Sequence, residues 1–317
     1  MSIPERPSVP SHNSRGETRM RVFVTGATGF IGSRVVKELI GTGHQVLGLT
    51  RSDTGAEELV AAGAEVHRGN IEDLDSLRSG AASADAVIHL AFNHDFSKFA
   101  ENCENDRLAI EAMGSVLVGT KKLLITTSGT AITGHDGSRL RLESDPPVSS
   151  KIIPRAASEE AARALAAQGV RVAIVRLPQV HDNVKQGLIP YVTQAARAKG
   201  VSVYIGEGRN RWAAAPVLDV AHLYCLALEK TGAFAVYHAV AEEGVSMREI
   251  AEVLGQGLNV PVKSITQEEA PAHFGWLAMF ANLDMPASSA QTREQLGWNP
   301  TGPDLITDLK NMDYSKI

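Results

Sequence analysis

Three glycines spaced three residues apart could bind a phosphate group near the start of the chain. Gly26, Gly29 and Gly32 follow an apolar, β-branched run over 22–25, and the segment 33–40 carries apolar residues at helical spacing. A strand, a tight turn and a helix in that order are the context in which such glycines bind a dinucleotide. Gly26 would permit the turn, Gly29 the approach of a pyrophosphate, and Gly32 the packing of helix on strand. The free N–H groups of the helix would then face the phosphates.

The end of the second predicted strand bears on the choice of nicotinamide cofactor. This strand covers 45–49 and is followed by Thr50, Arg51 and Ser52. An NAD site usually places an acidic residue there to accept hydrogen bonds from the ribose. Arg51 could instead hold a 2′-phosphate, with Ser52 and Arg34 nearby, or it could be a solvated loop residue. The pattern favours NADP(H), with NAD(H) as the alternative.

Residues that follow the third and fourth predicted strands could line the rest of the cofactor. These strands cover 64–67 and 86–90, and the carboxyl ends of parallel strands face the ligand crevice. Asn70 and Ile71 could flank the adenine, although Asp73 could simply cap the next helix. Together with the glycine turn, the cofactor contacts predicted at these ends are Gly26, Thr28, Gly29, Phe30, Ile31, Gly32, Arg51, Ser52, Asn70, Ile71, Leu90, Ala91 and Phe92.

The order of the elements predicts an α/β fold with a doubly wound parallel sheet of the Rossmann type. Strands and helices alternate up to a sixth strand over 171–177, which is typical of such sheets. Residues 1–19 are rich in Pro, Ser and charge and are predicted to be a disordered extension. Residues 20–180 are predicted to form the NADP-binding domain. The less regular remainder, 181–317, would complete the sheet and form a small C-terminal substrate lobe.

The composition argues against several classes of protein. The chain has 317 residues with 44% hydrophobic content, enough to bury a full core. Its net charge of −5 gives no reason to expect binding to nucleic acid or to an anionic membrane surface. No apolar run is long enough to span a bilayer. Cys103 and Cys225 make neither a disulfide framework nor a zinc set. We therefore expect a cytoplasmic protein with a small-molecule substrate and no metal.

Four short stretches of the chain resemble the extended short-chain dehydrogenase/reductase family, which is similar to NAD-dependent epimerases and dehydratases. They are Thr25-Gly-Ala-Thr-Gly-Phe-Ile-Gly32, His89-Leu-Ala91, Thr127-Ser-Gly-Thr130 and Val175-Arg-Leu-Pro-Gln-Val-His181. The last stretch resembles the strand and loop that lie beside the nicotinamide in this family. The resemblance therefore implies that Leu177 and Val180 contact the cofactor.

The chain departs from this family at the catalytic Tyr-x-x-x-Lys pair. The family pattern aligns Lys151 with the tyrosine and Arg155 with the lysine, and no tyrosine occurs in residues 1–190. The chain thus resembles an atypical subgroup in which a basic pair, often His-x-x-x-Arg, replaces the usual one. The resemblance implies that Arg155 binds the cofactor ribose. Lys151 would act as the acid or as a fixed cation beside the substrate oxygen.

Further polar residues are candidates for the substrate side of the site. Ser128 and Thr130 lie where the family keeps a substrate-orienting hydroxyl, although they could serve only in turn and cap hydrogen bonds. His94 and His181 follow strands and could donate protons, or they could be structural. Arg211 and Trp212, in a polar loop predicted over 206–215, would suit an anionic substrate or could pack on the lobe. An apolar stretch that follows is predicted to be helical over 267–281.

Three functions fit these residues. The first is an NADP(H)-dependent oxidoreductase that reduces a small carbonyl compound or oxidises the alcohol. The second is a non-catalytic NADP(H)-binding redox sensor, which the missing tyrosine would explain. The third is an NAD(P)-dependent epimerase or dehydratase. The resemblance also implies a homodimer through the helices near 97–117 and 154–167, although the alanine-rich face of the second helix could equally pack on the sheet.

Overall fold

A computed structural model describes residues 19–134 and 139–316, so the extension predicted over 1–19 lies outside the described residues except for Arg19. In this part of the chain the strands are β1 (Arg21–Thr25), β2 (Gln45–Thr50), β3 (Glu65–Arg68), β4 (Ala86–His89), β5 (Leu123–Gly129), β6 (Arg171–Leu177), β7 (Gln179–His181), β8 (Ser202–Ile205), β9 (Arg211–Pro216), β10 (Phe234–His238), β11 (Glu242–Ser246) and β12 (Val262–Ile265).

The α-helices of the described segments vary from four to seventeen residues. They are α1 (Gly32–Gly41), α2 (Asp53–Ala61), α3 (Leu74–Ala82), α4 (Phe99–Ser115), α5 (Ala157–Ala167), α6 (Ile189–Lys199), α7 (Val217–Lys230), α8 (Met247–Leu258), α9 (Ala270–Phe274), α10 (Ala278–Ala281), α11 (Ala290–Leu296) and α12 (Leu305–Lys310). Between residues 19 and 134, and again between 139 and 316, no helix has both the length and the apolar character that crossing a bilayer requires.

Seven strands form one parallel sheet in the order β10-β6-β5-β4-β1-β2-β3. From β1 to β6 each strand is connected to the next by a helix, and helices cover both faces. The predicted doubly wound α/β sheet is therefore confirmed. Since the strand order reverses between β1 and β4, the crevice for a ligand is expected at the carboxyl ends of these two strands.

Each face of the central sheet carries its own apolar core. Helices α1 and α7 pack together on one face, where Val35, Leu39 and Leu223 are buried. Helices α3, α4 and α5 cover the other face, where Ala161 and Leu165 of α5 are buried. The alanine-rich side of α5 is thus covered within the single chain, and the homodimer remains a prediction.

A third core lies in the elements that follow the sixth strand. We call α6, β8, β9, β11, α8, β12, α9, α10 and α12 the C-terminal lobe, because their apolar side chains share this core. β8 pairs with β12, and β9 lies between β7 and β11. The loop predicted over 206–215 is corrected here, because Arg211–Pro216 forms β9. The helix predicted over 267–281 is interrupted at Gly275, whose φ of 58° ends α9.

A buried charged cluster fastens the chain segment around residue 145 to the central sheet. Arg176 of β6 is fully buried and donates to both carboxylate oxygens of Glu159, at 3.0 and 2.6 Å. It also donates to the Asp145 carbonyl at 2.9 Å. Arg176 Nη1 lies 3.2 Å from Nε2 of His238, whose Nδ1 donates to the Ser288 carbonyl at 2.8 Å. Breaking such a pair would leave an uncompensated buried charge.

Candidate active site

The glycine turn lies tightly against the end of β4. Gly26 has φ of 67°, and a Cβ at this position would come within 2.7 Å of the Ala91 nitrogen. A side chain at Gly32 would collide with the Gly26 carbonyl, and Gly29 donates to that carbonyl at 2.9 Å. A side chain at Gly26 or Gly32 would therefore force the turn to change its position.

The first turn of α1 is suited to an anion. Its N-cap residue, Ile31, makes no side-chain capping bond, and the first turn contains no acidic residue. The N–H groups at this helix end therefore lack a side-chain acceptor, and the positive end of the helix dipole faces the crevice. A dinucleotide pyrophosphate fits both features, so the residues present agree with the predicted cofactor.

The end of β2 offers a cation without a competing carboxylate. Arg51 is exposed and has no ion pair within the described residues. The nearby Asp53 is paired with Arg68 at 2.7 Å. Ser52 caps α2 by accepting from Gly55 at 3.0 Å, and its hydroxyl proton remains available to a phosphate. Arg34 contacts Asp182 at 3.3 Å, so it is not free for the same phosphate.

The residues after β3 mainly stabilise their own loop. Asn70 Oδ1 accepts from the amides of Glu72 and Asp73 at 2.8 and 3.1 Å, which closes an Asx turn. Asp73 in turn caps α3, as the alternative interpretation held. Ile71 is half-buried beside this turn.

A buried hydrogen-bond chain begins at the last residue of β1. Thr25 Oγ1 accepts from the amides of Leu90 and Ala91 at 3.2 and 3.3 Å. The Thr25 hydroxyl therefore donates its proton to His89 Nδ1, which lies 2.6 Å away. His89 then carries its own proton on Nε2 and donates it to Asp106 Oδ1 at 3.0 Å. The end of β1, the end of β4 and the middle of α4 are thus held in one geometry.

The buried hydrogen-bond chain ends at Arg155, the residue aligned with the family lysine. Its Nη1 donates to Asp106 Oδ2 at 2.8 Å and contacts Ser158 Oγ, and its Nη2 donates to the Thr127 carbonyl at 2.9 Å. The guanidinium also lies over the Phe92 ring, 4.4 Å from its centroid. These contacts fix a permanent positive charge at the carboxyl ends of β4 and β5.

Asp106 is ionised in this environment. Its side chain is only 1% exposed, and burial alone would raise its pKa. The Arg155 charge and the hydrogen bonds from His89 and Ser158 outweigh burial and hold the pKa at about 2. The carboxylate therefore acts as the fixed counter-ion that orients Arg155.

The remaining predicted catalytic residues differ in how they are placed. Ser128 is buried, and its Oγ has no hydrogen-bond partner within the described residues. Thr130 is buried where a 3₁₀ turn follows β5. Lys151 is exposed on the turn that precedes Arg155. Tyr224 of α7 is fully buried and bonds to Thr127 Oγ1 at 2.7 Å, and burial raises its pKa, so it is not an accessible acid.

His94 lies in the loop after β4 and faces two cations. It is exposed to solvent, but the surrounding crevice walls partly desolvate it and lower its pKa, and the charges of Arg155 and Lys185 lower it further. Lys185 also lies over the ring of Phe30 in the glycine turn, 5.7 Å from its centroid. The loop that follows β7 therefore reaches across the crevice to the cofactor turn.

Several candidates for cofactor and substrate contacts lie inside the protein. Val180 is buried in the core under α1 and α7, and Leu177 is half-buried at the end of β6. His181 is fully buried and bonds to Asp308 at 2.6 Å, and burial lowers its pKa. Trp212 is fully buried in the lobe core. Arg211 is bound to Asp284 at 2.8 Å. The structure therefore places His181 and Trp212 in the interior and Arg211 in an ion pair, and their substrate role stays a prediction.

Similarity to known proteins shows the family of this chain. The model of the NAD dependent epimerase/dehydratase family matches residues 22–241. The chain belongs to the NAD-dependent epimerase/dehydratase family. An uncharacterised protein of Schizosaccharomyces pombe is 48% identical to it over 93% of this chain and 100% of that protein. A UDP-glucose 4-epimerase of Streptomyces lividans is 28% identical over 90% of this chain and 93% of the epimerase.

The fold of this family member also matches solved structures. A dTDP-glucose 4,6-dehydratase of Streptomyces venezuelae, solved with NAD bound, has a TM-score of 0.74 with 20% identity. The match covers 92% of this chain and 95% of the dehydratase. At this identity the likeness shows the fold alone. The match to the family model, in contrast, assigns the chain to the NAD(P)-dependent epimerase/dehydratase type.

Sequence reasoning missed the residues that fix Arg155 in this family member. Thr25 and His89 occur in the motifs that carried the resemblance, but their pairing across 64 positions shows only in three dimensions. Asp106 had a weaker signal, since it is an acid on the buried side of an amphipathic helix. An acid in that position needs a cation, and Arg155 supplies it.

Proposed function

We propose that the protein is an NADP(H)-dependent oxidoreductase that reduces a small carbonyl compound or oxidises the corresponding alcohol. The observation that carries this proposal is the fixed guanidinium of Arg155, which hydrogen bonds through Asp106 and His89 connect to Thr25 at the start of the glycine turn. A permanent cation at this place can bind the ribose hydroxyls of the cofactor and stabilise negative charge on a substrate oxygen. NADPH, when bound, supplies the hydride.

The proton for the substrate oxygen needs a separate donor. Arg155 is therefore assigned to binding and charge stabilisation and not to proton donation. Partial desolvation and the charges of Arg155 and Lys185 lower the pKa of His94, which disfavours the protonated ring that would donate the proton. Lys151 is exposed on the turn before Arg155, and we assign it as the donor or as a second fixed cation. The Ser128 hydroxyl, which has no partner in the described residues, would orient the oxygen, with Thr130 next to it.

A panel of aldehydes and ketones tests this proposal. Purified protein is mixed with NADPH and each carbonyl compound, and loss of NADPH absorbance is recorded alongside calorimetric binding of NADPH. Turnover that falls in Arg155→Met and Lys151→Ala, with NADPH still bound by Lys151→Ala, would support the assignments. Bound NADPH without turnover across the panel would contradict the oxidoreductase proposal and favour the redox-sensor alternative.

An epimerase or dehydratase is the second candidate. It is favoured by the family assignment and by the similarity to a UDP-glucose 4-epimerase. Such an enzyme uses its nicotinamide transiently, so the cofactor stays bound and no net oxidation occurs. Incubation with UDP-glucose or dTDP-glucose, followed by separation of the sugar nucleotides, would detect this activity. Unchanged sugar nucleotides would count against it.

A further inference from the structure

Six aromatic side chains form a continuous surface between the central sheet and the C-terminal lobe. We call this set the aromatic wall: Phe92, Phe96, Phe99, Tyr191, Trp276 and Phe280. It contains four of the eight phenylalanines of the chain. At its centre Phe96 stacks on Trp276, with 4.5 Å between centroids and 14° between planes. Phe96 follows β4, whereas Trp276 belongs to the lobe, so the wall spans the crevice.

The rings of the wall are not core residues. Trp276 is 42% exposed, and the other five rings are half-buried. In contrast, the other two tryptophans, Trp212 and Trp298, are buried in the cores. Aromatic rings that only held the lobe to the sheet would be expected to bury their faces. A contiguous apolar surface that stays accessible usually marks a binding site.

The wall begins at the candidate reaction centre. Phe92 carries the Arg155 guanidinium on its face at 4.4 Å and contacts Phe99 at 6.4 Å between ring centroids. Phe99 in turn stacks on Phe96 at 5.8 Å with 27° between planes. A ligand whose oxygen lies at Arg155 would therefore extend its body along aromatic faces and edges.

The arginines after residue 181 do not favour a nucleoside diphosphate on this surface. Each of the five arginines after residue 181 has a protein partner. Arg209, Arg211 and Arg248 are paired with Glu207, Asp284 and Glu252, and Arg197 and Arg293 bond to the carbonyls of Tyr314 and Val240. An arginine that bound a diphosphate on the wall would first have to break one of these contacts, whereas an uncharged ring requires none of them to break.

We propose that the aromatic wall is the substrate-binding surface and that its substrate is an uncharged aryl aldehyde or ketone, or the corresponding alcohol. This inference rests on the proposed oxidoreductase function. In the reduction, the carbonyl carbon gains a hydride from NADPH, and the C=O π pair moves to oxygen, which takes up one proton. The aryl carbonyl becomes an alcohol and NADPH becomes NADP⁺. The aryl ring packs on the wall in offset or edge-to-face geometry.

Binding of an unreactive aryl compound tests the wall separately from turnover. 2-Naphthamide is uncharged and is not reduced by NADPH, so calorimetry on the full chain with NADPH present measures only its binding. Trp276→Leu keeps an apolar side chain but loses the ring, and we expect its Kd for 2-naphthamide to rise about tenfold or more. Phe96→Leu should behave in the same way. The matched control is Leu218→Ala, which removes an apolar side chain that is 69% exposed on α7.

The expected result is weaker 2-naphthamide binding in the two wall variants, an unchanged Kd in Leu218→Ala, and an unchanged Kd for NADPH in all three. No binding of 2-naphthamide to the unaltered protein, equal binding in Trp276→Leu, or tighter binding of UDP-glucose would each overturn the inference. Failure of the oxidoreductase function would look different. The wall would then bind 2-naphthamide while no aryl carbonyl consumed NADPH.

Discussion

Asp106 and Arg155 form an ion pair, 2.8 Å between Oδ2 and Nη1, that links α4 to the 3₁₀ turn before α5. The other carboxylate oxygen of Asp106 accepts from His89, which reaches Thr25 at the glycine turn. The cation at the crevice and the turn that would hold the cofactor are therefore parts of one buried network. A change in Asp106 should affect both stability and cofactor binding.

Asp106→Asn should destabilise the protein and weaken NADPH binding. The neutral amide leaves Arg155 without its buried counter-ion, and breaking a buried pair on one side typically costs about 3–5 kcal/mol. Urea unfolding would measure the stability change, and calorimetry the loss of affinity. The matched control is Asp75→Asn, because Asp75 forms an exposed pair with Arg78 at 2.6 Å. Its loss should cost less than about 1 kcal/mol. Equal stability of the two variants would contradict the network.

The buried His238 should make the protein less stable in mild acid. Burial, with Arg176 at 3.2 Å, lowers the pKa of His238 to about 4, against the opposing charges of Glu143 and Glu159. Between the ordinary histidine pKa of 6.5 and about 4, the unfolded chain takes up a proton that the folded protein does not. The contribution of neutral His238 to the free energy of unfolding is therefore complete above pH 6.5. It falls by up to about 3 kcal/mol as the pH drops toward 4.

Urea unfolding at several pH values would measure this slope. In His238→Gln, which cannot titrate, the slope between pH 6.5 and 4 should become shallower. His222→Gln is the control, since His222 is exposed on α7 and pairs with Glu38 at the surface. An unaltered slope in His238→Gln would show that another group governs the acid sensitivity.

The central sheet could be predicted because its strands are buried on both faces. Apolar runs such as Arg171–Leu177 alternate with helices, and a parallel sheet covered by helices is the arrangement that such alternation produces. β9 gave no such signal. It reads Arg-Trp-Ala-Ala-Ala-Pro, with little intrinsic strand preference, and pairing with β7 and β11 decides its conformation.

The candidate site was predictable only where a motif is local. The glycine turn could be proposed from its spacing, and Arg155 could be proposed from the family resemblance. Arg211 and Trp212 show the limit, since they looked like neighbours on one loop. Successive residues of a strand point to opposite sides, and here Arg211 reaches Asp284 while Trp212 enters the lobe core. The aromatic wall combines residues up to 188 positions apart, from Phe92 to Phe280, and no local pattern joins them.

Arg51→Ala should discriminate between the two nicotinamide cofactors. If Arg51 binds a 2′-phosphate, its removal should raise the Kd for NADPH about tenfold or more and leave the Kd for NADH unchanged. Calorimetry with each cofactor would measure both constants. Arg78→Ala, which removes a surface arginine of α3, is the control. An equal effect of Arg51→Ala on the two cofactors, or no effect, would mean that the residue does not contact the 2′-phosphate.

Lys185→Met should raise the pKa of His94. Positive charge on Lys185 disfavours the protonated imidazole, so a neutral side chain of similar length should shift the His94 titration to higher pH. The ring signals of His94 in a pH series by NMR would report this shift. Lys199→Met serves as the control, because Lys199 influences His273 instead. A His94 titration that is unchanged in Lys185→Met would mean that the loop after β7 does not reach across the crevice in solution.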